Sequence, residues 1–147
     1  MTPRDWTLLV IDQAGEHSVQ PVQLQKSLFL ISRNLKNSDL ATDSFYSFQA
    51  YDYGPFCVAV YDDAEILELA GLVEVQRPPA TRYKLYRITP AGIERARELR
   101  RKLSRQARDY LAAVVQFVQG VSFNQLVSAI YKAYPDMREN SVFKADA

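Results

Sequence analysis

The sequence predicts a mainly α fold with a small β-hairpin, followed by a long helix and a short C-terminal helix. Three observations carry this expectation. Apolar residues recur at helical spacing in residues 4–14, 21–35 and 57–70. Two short segments with strand character flank Pro78-Pro79, and helix-start signals stand at Thr89-Pro90 and at Ser122. With 147 residues, 48% of them hydrophobic and 24% charged, the chain suits one domain, or one domain with an appendage.

Residues 4–14 form the first expected helix, with Trp6, Leu9, Val10 and Gln13 at helical spacing and Gly15 as its stop. Pro21 suits the first turn of a second helix, and Leu24, Leu28, Ile31 and Leu35 make its buried stripe. Residues 37–44 are polar and turn-rich. The aromatic run from Phe45 to Tyr51 has strand character, and Tyr53-Gly54-Pro55-Phe56 reverses the chain into a third helix. That helix places Val60, Ala64 and Leu67 inward and ends at Gly71. Residues 74–77 and 82–88 then pair as a hairpin around Pro78-Pro79-Ala80-Thr81.

Thr89 is a good N-cap and Pro90 suits the first helical position. From there Ile93, Ala96, Leu99, Leu103, Ala107, Tyr110, Val114 and Phe117 recur every three or four residues, the seam of one long helix ending at Gly120. Ser122 with Gln125 makes a capping box, and Val121 with Leu126 a staple, for a helix that stops before Pro135. These signals divide the chain into a first domain over residues 1–89, a helical extension over 90–135 and a polar, poorly ordered tail over 136–147. The extension is expected to form the interface of a homodimer or of a partner complex.

Composition excludes several functions. The single cysteine, Cys57, and single histidine, His17, leave no disulfide, no cysteine-rich zinc site and no His pair for a metal. Cys57 reads as a small buried hydrophobe and His17 as a surface turn residue. No Gly-rich phosphate loop or nucleophile–base set stands out, so neither enzyme activity nor a cofactor is expected. No apolar run has the length of a bilayer span, and Asp12 and Glu16 interrupt any signal-peptide core, so a cytoplasmic protein without membrane attachment is expected.

The formal net charge is only +1, yet the charges are segregated: residues 51–75 carry −6 and residues 76–108 carry +9. Such a basic block can attract phosphate although the whole chain is near neutral. Alternatively, the two segments face each other within one chain or across a dimer.

The order helix, helix, short strand, helix, hairpin is that of a winged helix-turn-helix. Residues 61–73 resemble the third-helix ending of winged-helix regulators, and Tyr86-Arg87-Ile88-Thr89-Pro90-Ala91-Gly92 resembles the exit from their wing. Leu24-Gln25-Lys26-Ser27-Leu28-Phe29-Leu30, Tyr53-Gly54-Pro55-Phe56 and Tyr61-Asp62-Asp63 are similar to the phage-associated, SocA-type antitoxin family, also called the Panacea domain. Leu126 to Pro135 is similar to the C-terminal pattern of related small winged-helix proteins. This resemblance implies a partner-binding role, often beside a toxin gene, and brings no catalytic residues.

In a helix-turn-helix reader the third helix offers basic and amide side chains to base edges. Here residues 57–70 hold no basic residue and carry Asp62, Asp63, Glu65 and Glu68, which would repel phosphate. Their outward face also bears Val58, Ile66 and Leu69, so this helix is expected to be covered by the C-terminal helices or by a second subunit. Any DNA surface therefore moves to the wing and the long helix, with Arg77, Arg82, Lys84, Arg87, Arg97, Arg101 and Arg105 as its contacts.

The aromatic cluster from Phe45 to Tyr53 reads as core and interface, ahead of a base-stacking platform. Two functions follow. The leading expectation is a small DNA-binding transcription regulator that binds double-stranded DNA as a homodimer, paired through Leu99, Leu103, Tyr110 and Val114. The other is an antitoxin-type module that holds a protein encoded nearby through the Tyr46–Phe56 region and through Val58, Asp62, Glu65, Ile66 and Leu69.

Overall fold

The computed structural model describes residues 1–80 and 82–143. Thr81, at the expected hairpin turn, and residues 144–147 of the expected tail lie outside them. Among the described residues the fold is mainly α with two small antiparallel hairpins.

Helix α1 (Pro3–Gln13) starts at a capping box in which the Thr2 hydroxyl accepts from the Asp5 N–H and the Asp5 carboxylate accepts from the Thr2 N–H. Trp6 and the run Leu8 to Ile11 are buried on every side of the helix, so α1 is the central element. It packs against α2 (Pro21–Asn34), α4 (Val58–Leu69), α5 (Pro90–Arg100) and α6 (Arg105–Gln119). The Trp6 indole N–H donates to the Leu40 carbonyl at 2.9 Å. This ties down the one-turn helix α3 (Asn37–Leu40), which stands in the segment expected to be turns.

Strands β1 (Gln49–Tyr51) and β2 (Gly54–Phe56) pair antiparallel, with Ala50 opposite Pro55. The reversal at Gly54 is present, with φ +102°, but Pro55 lies in a strand and does not begin a helix. A two-stranded sheet has only edges, where proline is tolerated. Cys57 is the N-cap of α4, which packs on α1 and on β3 (Val73–Gln76).

β3 pairs with β4 (Leu85–Ile88) from Val73 opposite Ile88 to Gln76 opposite Leu85. The ladder is shorter than expected, so Arg77, Arg82 and Lys84 lie in the connection between the strands. Pro78 and Pro79, without N–H donors, prevent it from extending. Val19, between α1 and α2, adds an isolated bridge to Tyr86 on the other edge of β4.

The expected long helix is two helices. α5 ends at Arg100 and α6 begins after Ser104, whose hydroxyl accepts from the Ala107 N–H at 3.1 Å. The turn between them brings α6 against α1 and α2, and Ala96, Leu99, Leu103, Ala107 and Val114 enter the same core as Trp6 and Leu28. Leu99, Leu103 and Val114 are therefore not available to a second subunit, and the expected boundary at residues 89/90 does not divide the core. Tyr110 is half-buried, with its hydroxyl 3.4 Å from the Leu30 carbonyl.

Helix α7 (Phe123–Ala133) carries the expected Ser122–Gln125 capping box. The start of the expected polar tail is also ordered. Met137 is buried, and the Val142 N–H and the Asn140 amide donate to the Asp52 and Ala50 carbonyls. No helix among the described residues is long and apolar enough to cross a membrane.

Candidate functional site

Three surfaces compete for the role, beginning with the basic one. Among the described residues, five of its eleven basic side chains are in ion pairs. Arg100 bonds Asp12 on α1 and donates to the Gln13 side chain at 2.9 Å. Arg95 and Arg97 pair with Glu98 and Glu94 of their own helix, and Arg105 pairs with Asp109. Arg77 reaches Glu68 of α4 at 4.0 Å. Arg87 stands opposite Glu74 in the hairpin register. Arg82, Arg87 and Arg101 are exposed and make no ion pair among the described residues, while Lys84 is half-buried. The fold thus offsets part of the block with carboxylates from α1, α4 and its own helices.

The second surface is the outward face of α4. Val60, Ala64 and Leu67 are buried, as their spacing predicts. Opposite them, Leu69 is 87% exposed, Val58 61% and Ile66 41%. Among the described residues α5, α6 and α7 do not supply the expected cover, since their main packing is on other elements. Asp62 and Glu65 lie exposed within this apolar face. Asp63 is set apart, because the Tyr46 hydroxyl donates to it at 2.5 Å and Arg4 bonds it at 3.2 Å. The Tyr46 hydroxyl also lies 2.8 Å from Thr7 Oγ1, so this network fixes α4 to α1 and to the aromatic segment. Burial and the Asp63 carboxylate hold the Tyr46 phenol far above its ordinary range.

The third surface is a groove of about 820 Å³ between the first turns of α2, the β1–β2 turn, the start of α4 and the start of α7. Tyr51, Tyr53, Phe56 and Phe123 are among its walls, and Tyr83 reaches it from the β3–β4 connection. Two buried polar residues of α2 build it. Gln25 clamps Cys57 by its backbone, donating to the carbonyl at 2.9 Å and accepting from the N–H at 3.0 Å. Lys26, 4% exposed, donates through Nζ to the Pro55 carbonyl at 2.9 Å. Desolvation lowers its ammonium from 10.5 to about 8.

No family model matches this chain, and no curated protein matches it. The residues alone therefore carry the functional argument. Among the described residues no group of three His, Cys, Asp or Glu side chains is placed to hold a metal ion.

Sequence reasoning brought Val58, Asp62, Glu65, Ile66 and Leu69 to one face, and the structure assembles them there. It grouped Leu99, Leu103 and Val114 as an interface, and the structure puts them in the core. It did not give Lys26, Tyr83 or Phe123 a role in any site. A signal existed for Lys26. A lysine beside Leu24 and Leu28, in a helix whose residues 24–29 are all buried, needs an acceptor from another element.

Proposed function

We propose that this protein is an antitoxin-type binding module that holds a basic, amphipathic segment of a partner protein against the outward face of α4. The observation that carries this reading is the exposure of Val58, Ile66 and Leu69 around Asp62 and Glu65. Fully burying an exposed aliphatic side chain is worth about 1.5–3 kcal/mol, and a partner that covers these three gains the share set by their exposure, most at Leu69. The carboxylates add selectivity for lysines or arginines at the rim and speed the encounter. The resemblance of Tyr53–Phe56 and Tyr61–Asp63 to the Panacea domain implies the same kind of role.

Replacing Asp62 and Glu65 together by lysine is expected to abolish co-purification with the product of a flanking gene while leaving the melting temperature within a few degrees. Unchanged recovery of the partner would contradict the proposal.

DNA binding is the second reading, supported by the exposure of Arg82, Arg87 and Arg101 without ion pairs among the described residues. On that reading Arg82→Ala, Lys84→Ala and Arg87→Ala together weaken binding to a mixed-sequence duplex. They also lower the slope of log K against log salt by about 3. Absence of wild-type binding at low salt would remove it.

A further inference from the structure

Lys26 is a buried cation whose one hydrogen-bond acceptor among the described residues, the Pro55 carbonyl, is neutral. It forms no ion pair among the described residues. Its ammonium carries three N–H groups, and a desolvated charge without an anion is costly to keep. Burial weakens its hold on the proton, but at about 8 its pKa still leaves most of the population charged at neutral pH.

Lys26 and Gly54 both line the groove, and Gly54 lies close against the lysine. A Cβ on Gly54 would stand 3.7 Å from Lys26 Cε and 3.8 Å from Nζ, and 3.3 Å from the Tyr131 ring. A side chain there would press on Tyr131 and Lys26, so glycine lets the turn sit close, and the groove itself falls within the roughly 300–1,000 Å³ typical of small-molecule sites. Tyr51 lies against Phe56 with ring centres 5.3 Å apart, and Tyr53 against Phe123 at 5.4 Å, which gives the groove aromatic walls.

We propose that the groove is a binding site for a small aromatic monocarboxylate, whose anion sits against the Lys26 ammonium and whose ring lies between the Tyr51–Phe56 and Tyr53–Phe123 pairs. The anion supplies the counter-charge that Lys26 lacks, and the ring replaces water on apolar walls. Asp52, the other charged residue of the lining, disfavours a second negative charge on the ligand.

The test is a calorimetric titration of the full chain at pH 7 with 2-naphthoate and with the neutral isostere 2-naphthamide. The acid is expected to bind about tenfold more tightly than the amide, the difference made by one charge-assisted contact. Phe123→Ala should weaken both ligands, and Lys26→Met should erase the preference for the acid. Equal affinity of wild type for acid and amide, or no binding of either at millimolar concentration, would overturn the proposal whether or not the Lys26 variant folds.

Discussion

Gly92→Ala is expected to destabilise the protein by about 3 kcal/mol or more, seen as a fall of many degrees in the thermal midpoint. Helix propensity alone predicts the opposite, since alanine in a helix interior is favoured over glycine by about 1 kcal/mol. Packing decides the sign. A Cβ at position 92 would lie 2.0 Å from the Leu72 carbonyl oxygen and 2.5 Å from Ile88 Cδ1. That carbonyl cannot swing away, because it accepts from the Thr89 N–H at 3.3 Å. Thr89 Oγ1 meanwhile donates to the Gly71 carbonyl at 2.7 Å and accepts from the Gly92 N–H at 3.0 Å. The start of α5 is thus locked onto Gly71 and Leu72, between α4 and β3, and a methyl group must break the lock. A variant as stable as wild type would show that the first turn of α5 does not pack this way.

The second large effect is a dependence of stability on pH that runs opposite to acid denaturation. Lys26 titrates at about 8 when folded and near its ordinary 10.5 when unfolded. Between those values the unfolded chain binds more protons, so stability rises with pH, by on the order of 2 kcal/mol from pH 8 to 10. The rise has a ceiling. Burial holds the Tyr46, Tyr61, Tyr86 and Tyr110 phenols above 10, Tyr86 at about 12. Above pH 10 the folded chain therefore keeps protons that the unfolded chain loses, and stability falls again. Asp52 and the hydroxyls of Tyr51, Tyr53, Tyr61, Tyr83 and Tyr131 are the other ionisable side chains of the groove and of the Gly54 contact. Chemical denaturation across pH 7–11 should trace this maximum. Lys26→Met should be at least as stable as wild type at pH 7 and lose the rising limb. A wild type whose stability is flat from pH 7 to 10 would refute the assignment.

Much of the fold is legible in the sequence because its signals are local. Pro21, the Thr89-Pro90 start and the Ser122–Gln125 box each place a helix where the structure has one. The break at residues 101–104 is not legible from apolar spacing. Leu99, Leu103 and Ala107 keep a helical rhythm across the turn because each of them faces the same core. The sign of the break is Ser104, an N-cap residue three places before the Ala107 N–H it accepts from. A rhythm of three and four cannot distinguish one long helix on a partner from two helices folded onto their own chain.

The candidate site divides in the same way. The outward face of α4 follows from a single helical period, so its five residues could be grouped in advance. The basic block could not be judged from the sequence, because Arg100 finds Asp12 and Arg77 finds Glu68 through the fold. The groove is still less accessible to sequence reasoning. It joins residues from α2, β2 and α7 that are distant in the chain, and only Gln25 and Lys26, polar on a helix buried all round, hint that a backbone must come to meet them.

The most direct measurement of the central proposal is light scattering on complexes formed by co-expression with the products of the flanking genes. Wild type is compared with Ile66→Asp/Leu69→Asp and with Arg82→Ala/Lys84→Ala/Arg87→Ala. Both altered sites are surface positions apart from the half-buried Lys84, so the variants are expected to fold. A stable complex is predicted for wild type and for the triple variant, and none for the α4 variant. A complex that survives the two aspartates on α4 would contradict the proposed role of that face.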